Sequence, residues 1–120
     1  MPSEKEWEFA ARGGTQTKGY RYSGSNNLDK VGWYSGNSGF AVREAGKKQA
    51  NELGIFDMSG NLLEWCGSWY PGYEGSFRVI RGGFCGVSAE DCAVAYRINV
   101  GDPGLHFSSR GFRVALSSVP

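Results

Sequence analysis

Between Arg81-Gly82-Gly83 and Gly111-Phe112-Arg113 the chain runs on without the period of either a strand or a helix. Phe84, Cys85, Val87, Ile98, Val100, Leu105 and Phe107 are apolar but fit no alternation, and glycines and Pro103 break them apart. A tract with no repeating apolar face cannot supply a core element. It is expected on the surface, held at both ends by ordered backbone, which is how folds commonly present a binding face. Composition agrees: 19 glycines stand beside four Trp, six Tyr and seven Phe. That pairing describes a loop-rich fold in which glycines free the backbone and aromatics supply buried area in bulk.

A length of 120 residues is that of one domain with one core. Thirteen basic residues offset twelve acidic ones, for a net charge of +1, which gives no footprint for nucleic acid. No 18-residue apolar run exists to span a membrane, and Met1-Pro2-Ser3-Glu4 does not open a signal peptide. Three cysteines, an odd number, do not make a disulfide framework. Cys66 and Cys92 read as small buried hydrophobes and Cys85 as the accessible thiol. The spacing of Cys85 and Cys92 permits a bridge but does not supply its geometry.

Ser3 to Arg12 is the clearest helix. Ser3 and Glu6 have capping-box spacing, Glu4 and Glu6 suit the positive end of the dipole, and Gly13-Gly14 stops the run. Trp7, Ala10 and Ala11 form its apolar stripe. Loops from Thr15 to Gly39 carry aromatic islands expected to plug the core from the side. Leu53 to Tyr70 is a second anchor, an apolar run around a turn at Ser59-Gly60-Asn61. Asp57 and Glu64 are the only acids inside it, and buried carboxylates are costly unless paired or ligated. Either Asp57 caps the turn and Glu64 pairs with an arginine, or Asp57, Asn61 and Glu64 together supply oxygen ligands to a hard cation. Phe77–Ile80, Cys92–Arg97 and Gly111–Leu116 are strand candidates. Three short strands, long excursions and one helix make an α+β fold.

Four stretches together resemble the formylglycine-generating-enzyme, or sulfatase-modifying-factor, family: Pro2–Gly14, Asn51–Asn61 with Glu64-Trp65, Arg78–Gly83, and Gly111–Arg113. The resemblance implies a variant of the C-type lectin fold, with this chain similar to the C-terminal half of the family domain. It also allows a test of activity. Family oxidases bind copper through two cysteines five residues apart, since soft sulfur ligands hold Cu(I). Cys92 matches the second position, but Val87 stands at the first. No catalytic residue and no copper are therefore expected.

The same resemblance points more specifically to the variable proteins of diversity-generating retroelements, whose C-terminal segment runs from the Arg-Gly-Gly turn to Gly-Phe-Arg. Framework positions are Arg81, Gly82, Gly83, Ala89, Cys92, Ala95, Arg97, Pro103 and Gly111–Arg113. The ligand-binding residues it implies are Phe84, Cys85, Gly86, Val87, Ser88, Asp91, Tyr96, Ile98, Asn99, Val100, Gly101, Gly104, Leu105, His106, Phe107, Ser109 and Arg110. Such a mixture of apolar and adaptable polar side chains suits a paratope. A calcium site built from Asp57, Glu64 and the carbonyls of Gly60 and Leu62 is implied too. The expected partner is a protein or cell-surface ligand, with the parent protein displayed on a surface or carried by phage. The alternatives are a copper oxidase, an undiversified family member, and a sugar-binding lectin, whose Glu-Pro-Asn and Trp-Asn-Asp signatures are absent.

Overall fold

The computed structural model describes residues 1–98 and 109–116. Helix α1 (Glu4–Ala11) begins as its sequence predicts. The Ser3 hydroxyl accepts from the Glu6 N–H at 3.2 Å, and the Glu6 carboxylate accepts from the Ser3 N–H at 2.9 Å. Gly13, at φ +94°, then turns the chain out of the helix. Trp7 and Ala11 are buried, with Ala10 packed beside them. A 3₁₀ turn (Gly14–Gln16) and a one-turn helix α2 (Leu28–Val31) follow, and long loops lead on to the sheet.

The sheet has three strands in the order β2-β1-β3. β1 (Leu63–Trp69) pairs antiparallel with β2 (Arg78–Arg81) through Glu64↔Arg81, Trp65↔Ile80 and Trp69↔Arg78, with a register irregularity between Trp65 and Trp69. β3 (Arg110–Gly111) pairs parallel with the start of β1. β1 is the central strand, and the sequence reading places only an apolar run there. Its first residues are buried on both faces, so the alternation that marks a strand is missing.

Two other strand expectations are corrected. Cys92–Arg97 is not a strand. A 3₁₀ turn (Ala89–Cys92) leads into a turn closed by Tyr96 N–H to Ala93 C=O at 3.0 Å, and only Arg97 bridges to Arg81. The alternation there has another cause. Cys92 enters a core cluster with Tyr22, Leu28 and Val31, while Val94 enters a different one with Trp7, Met58, Cys66 and Val79. Gly111–Leu116 is likewise not a strand beyond Gly111. Phe112, Val114 and Leu116 are 70%, 81% and 99% exposed, and the Arg113 side chain between them turns inward. No helix among the described residues is long and apolar enough to cross a membrane.

Candidate functional site

The segment after β2 is tied down through its peptide groups. The Cys85 N–H donates to the Asn61 carbonyl at 3.0 Å, and the Cys85 carbonyl accepts from the Ser38 hydroxyl at 2.6 Å. The Val87 carbonyl accepts from the Ser35 N–H at 2.9 Å. Val94 N–H donates to the Arg21 carbonyl at 2.9 Å. Gly83, at φ +71°, lets the chain pass close to the returning 3₁₀ turn. A Cβ there would lie 2.7 Å from the Asp91 carbonyl and 2.7 Å from the Cys92 sulfur. The backbone of Phe84–Val94 is thus held by partners outside it.

Side chains along this segment divide. Ser88 and Tyr96 are exposed, the latter at 37%. Phe84, Gly86, Val87, Asp91 and Ile98 are half-buried, and Val87 leans on the Tyr22 cluster. Two expectations are overturned. Cys85 is not the accessible cysteine: it is 5% exposed, drawn inward with the peptide that Asn61 and Ser38 grip. Ser109, placed on the ligand face by the sequence reading, is buried. Asn99, Val100, Gly101, Gly104, Leu105, His106 and Phe107 lie outside the described residues. Arg110 does not join Ile98. Ile98 N–H meets the Ile80 carbonyl at 3.4 Å on the β2 edge, whereas Arg110 sits in β3 at the opposite edge, its guanidinium 5.2 Å over the Trp65 ring.

All three cysteines are buried free thiols. Burial pushes Cys66 and Cys92 up to about 12, with Glu4 and Glu64 adding to it at Cys66 and Asp91 at Cys92, and burial raises Cys85 as well. An unfolded thiol ionises near 8.5. The folded state therefore disfavours the thiolates, and the stability this contributes is full below about pH 8.5 and lost as pH rises toward about 12. Iodoacetamide at pH 8 is expected to leave the native chain unmodified and to alkylate all three thiols in urea, read by mass spectrometry. Rapid native labelling of Cys85 or Cys92 would contradict the buried geometry.

At the Ser59–Asn61 turn the acids are used differently from one another. Both Glu64 oxygens face Arg113, Oε1 at 2.6 Å from Nε and Oε2 at 2.9 Å from Nη2, and Oε1 also accepts from the Trp7 indole at 3.0 Å. Hydrogen bonding to Glu64 raises the Arg113 pKa. Asp57, at φ +60°, accepts from the Gly46 N–H at 2.8 Å through Oδ2, and its buried Oδ1 has no hydrogen-bond partner. Within the calcium set Asp57, Gly60, Leu62, Glu64, the Glu64 carboxylate is engaged by a bidentate guanidinium and the Gly60 carbonyl accepts from the Leu62 N–H at 3.0 Å, while Asp57 Oδ1 is the oxygen left without a hydrogen-bond partner. The arginine pairing of Glu64 open at the sequence level is present. Beside the turn a cleft of about 630 Å³ is lined by Ile55, Phe56, Leu62, Phe112 and the Glu64–Arg113 pair.

Sequence reasoning missed the charge cluster under the segment. Arg81 is 2% exposed, with Nη1 3.1 Å from Glu4 and Nη2 2.6 Å from Glu8 and 2.5 Å from the Val94 carbonyl. Its guanidinium lies 5.2 Å from the Trp7 ring. Arg97 also binds Glu4, with Nε at 2.9 Å. Glu4 and Glu8 at helical spacing offered a signal for a shared cation. Nothing local named Arg81.

Comparison with known proteins accounts for this architecture. The sulfatase-modifying factor enzyme 1-like domain matches residues 1–118. Among solved structures, Treponema denticola variable protein 1 is 38% identical with a TM-score of 0.78, covering 93% of this chain and 45% of that one. The chaperone protein LppX of Paenibacillus barcinonensis is 36% identical over 116 residues, 80% of this chain and 41% of that protein. The inactive C-alpha-formylglycine-generating enzyme 2 of Bos taurus is 31% identical over 93 residues, 68% of this chain and 31% of that protein. The chain thus spans under half the length of these relatives. It belongs to the formylglycine-generating-enzyme (sulfatase-modifying-factor) family and carries that family's variant of the C-type lectin fold.

Proposed function

We propose that the chain is a non-catalytic ligand-binding module displaying a diversified surface on this scaffold, of the kind made by diversity-generating retroelements, toward protein or cell-surface ligands. The observation that carries the reading is the main-chain tether of Phe84–Val94, which leaves Ser88 exposed and delivers the exposed Tyr96 on the turn that follows. A face whose backbone is already ordered loses less entropy on binding, and a rigid tyrosine makes an effective anchor. Similarity to a protein named as variable supports the same direction. Against catalysis stands Val87 at the first copper-cysteine position. The inactive bovine relative is in keeping with that.

Two measurements test the reading. At the gene, a nearby reverse transcriptase and a near-copy of the Arg81–Arg113 coding segment differing at adenines are expected. Their absence would favour an undiversified non-catalytic member, the reading the bovine relative supports. In the protein, Ser88→Ala with Tyr96→Ala is expected to keep Tm within about 3 °C, because surface substitutions generally cost under about 0.5 kcal/mol. A large drop would make these side chains structural. Stoichiometric Cu(I) binding through Cys85 and Cys92 would restore the oxidase reading.

A further inference from the structure

We propose that Glu4, at the start of α1 and far from the tract in sequence, is the positioning residue for the turn that carries Tyr96. The proposal rests on the reading of Tyr96 as ligand-facing and adds what sets its place. Glu4 holds two guanidiniums, Arg81 at 3.1 Å and Arg97 through its Nε at 2.9 Å and its Nη2. The two arginines depend on it unequally. Arg81 keeps Glu8 and the Val94 carbonyl without it. Among the described residues Arg97 keeps the face of Tyr70, 5.6 Å away, and the more distant charge of Glu8, with no other hydrogen-bonded acid. Among the described residues the turn closes on itself through the Tyr96 N–H to the Ala93 carbonyl at 3.0 Å, but beyond Val94 its backbone meets the rest of the fold only at the Arg81–Arg97 bridge, whose Ile98 N–H to Ile80 carbonyl bond is long at 3.4 Å.

Removing the Glu4 charge therefore frees the turn without undocking the helix. α1 remains fixed by the Glu4 N–H to the Ser68 hydroxyl at 2.9 Å, by the Gly67 N–H to the Pro2 carbonyl at 2.7 Å, and by buried Trp7. Arg97 is 41% exposed in its pair with Glu4, so its own share of global stability is small, and Arg81 keeps Glu8 when Glu4 is neutralised. The effect of the pair is local, on where the turn sits.

The test is native-state hydrogen exchange on the intact chain, with Glu4→Gln, Arg97→Gln and the double variant. The Tyr96 and Ile98 amides are expected to exchange about tenfold faster in each single variant and no faster still in the double one, while amides of Leu63–Trp69 keep their rates. Wild-type rates at Tyr96 and Ile98 in either single variant would overturn the proposal. So would faster exchange spreading equally into β1, which marks general loosening. The measurement needs no ligand. A gene with no diversified copy would remove the ligand-facing reading and leave the exchange result standing, so the two failures are distinguishable.

Discussion

Replacing Arg81 with methionine is expected to lower the unfolding free energy by about 3–5 kcal/mol, read from urea denaturation at constant m-value. The size follows from what is left behind. Arg81 is buried and answers Glu4, Glu8 and the Val94 carbonyl at once. Methionine fills the volume, but it strands a carbonyl under the fold and leaves two carboxylates beside one another with, among the described residues, Arg97 at Glu4 and Arg12 at Glu8. Breaking one side of a buried ionic cluster costs far more than the cluster contributes relative to an apolar replacement. A domain of this size has about 5–15 kcal/mol in all, so the variant sits near the edge of folding. Arg81→Lys should fall between the two, since an ammonium can meet one acid but cannot span the fork. A loss under about 1 kcal/mol in the methionine variant would show that the cluster is dispensable.

Gly83→Ala is expected to cost about 3 kcal/mol or more. Two effects add there: the positive φ of +71°, and a Cβ 2.7 Å from both the Asp91 carbonyl and the Cys92 sulfur. The carbonyl belongs to backbone that is itself tied, so the clash has no inexpensive exit. Gly86→Ala is the control. Its nearest neighbour for a Cβ would be the Phe84 ring at 2.8 Å, at a position without positive φ, and a half-buried ring can turn aside. Its cost is expected to stay below about 1 kcal/mol. Equal losses at the two glycines would mean that close approach at Gly83 is not what fixes the turn.

Local elements were legible where chemistry and geometry are neighbours in sequence. The Ser3–Glu6 capping box and the Trp7 stripe announced α1, and the structure has both. Asp57 and Glu64 were legible as acids needing partners, yet the partner of Glu64 is Arg113, 49 residues away, and no spacing rule reaches that far. β1 went unread because burial on both faces erases the period of two. The Cys92–Arg97 alternation misled for the opposite reason, since two separate clusters each took one of its residues. Cys85 was misplaced because a thiol among glycines looks exposed. Its burial is decided by Asn61 and Ser38, which are loop residues with no periodic signature. The fold-level reading came from resemblance, which condenses such long-range pairings into motifs.

The grip on Cys85 and Val87 falls on amide and carbonyl groups that nineteen of the twenty amino acids possess in identical form. The attachment itself therefore survives a change of residue, although the buried Cys85 side chain and the Val87 contact with the Tyr22 cluster still limit what fits. Proline is the exception at position 85, because the bond to Asn61 consumes an N–H that proline lacks.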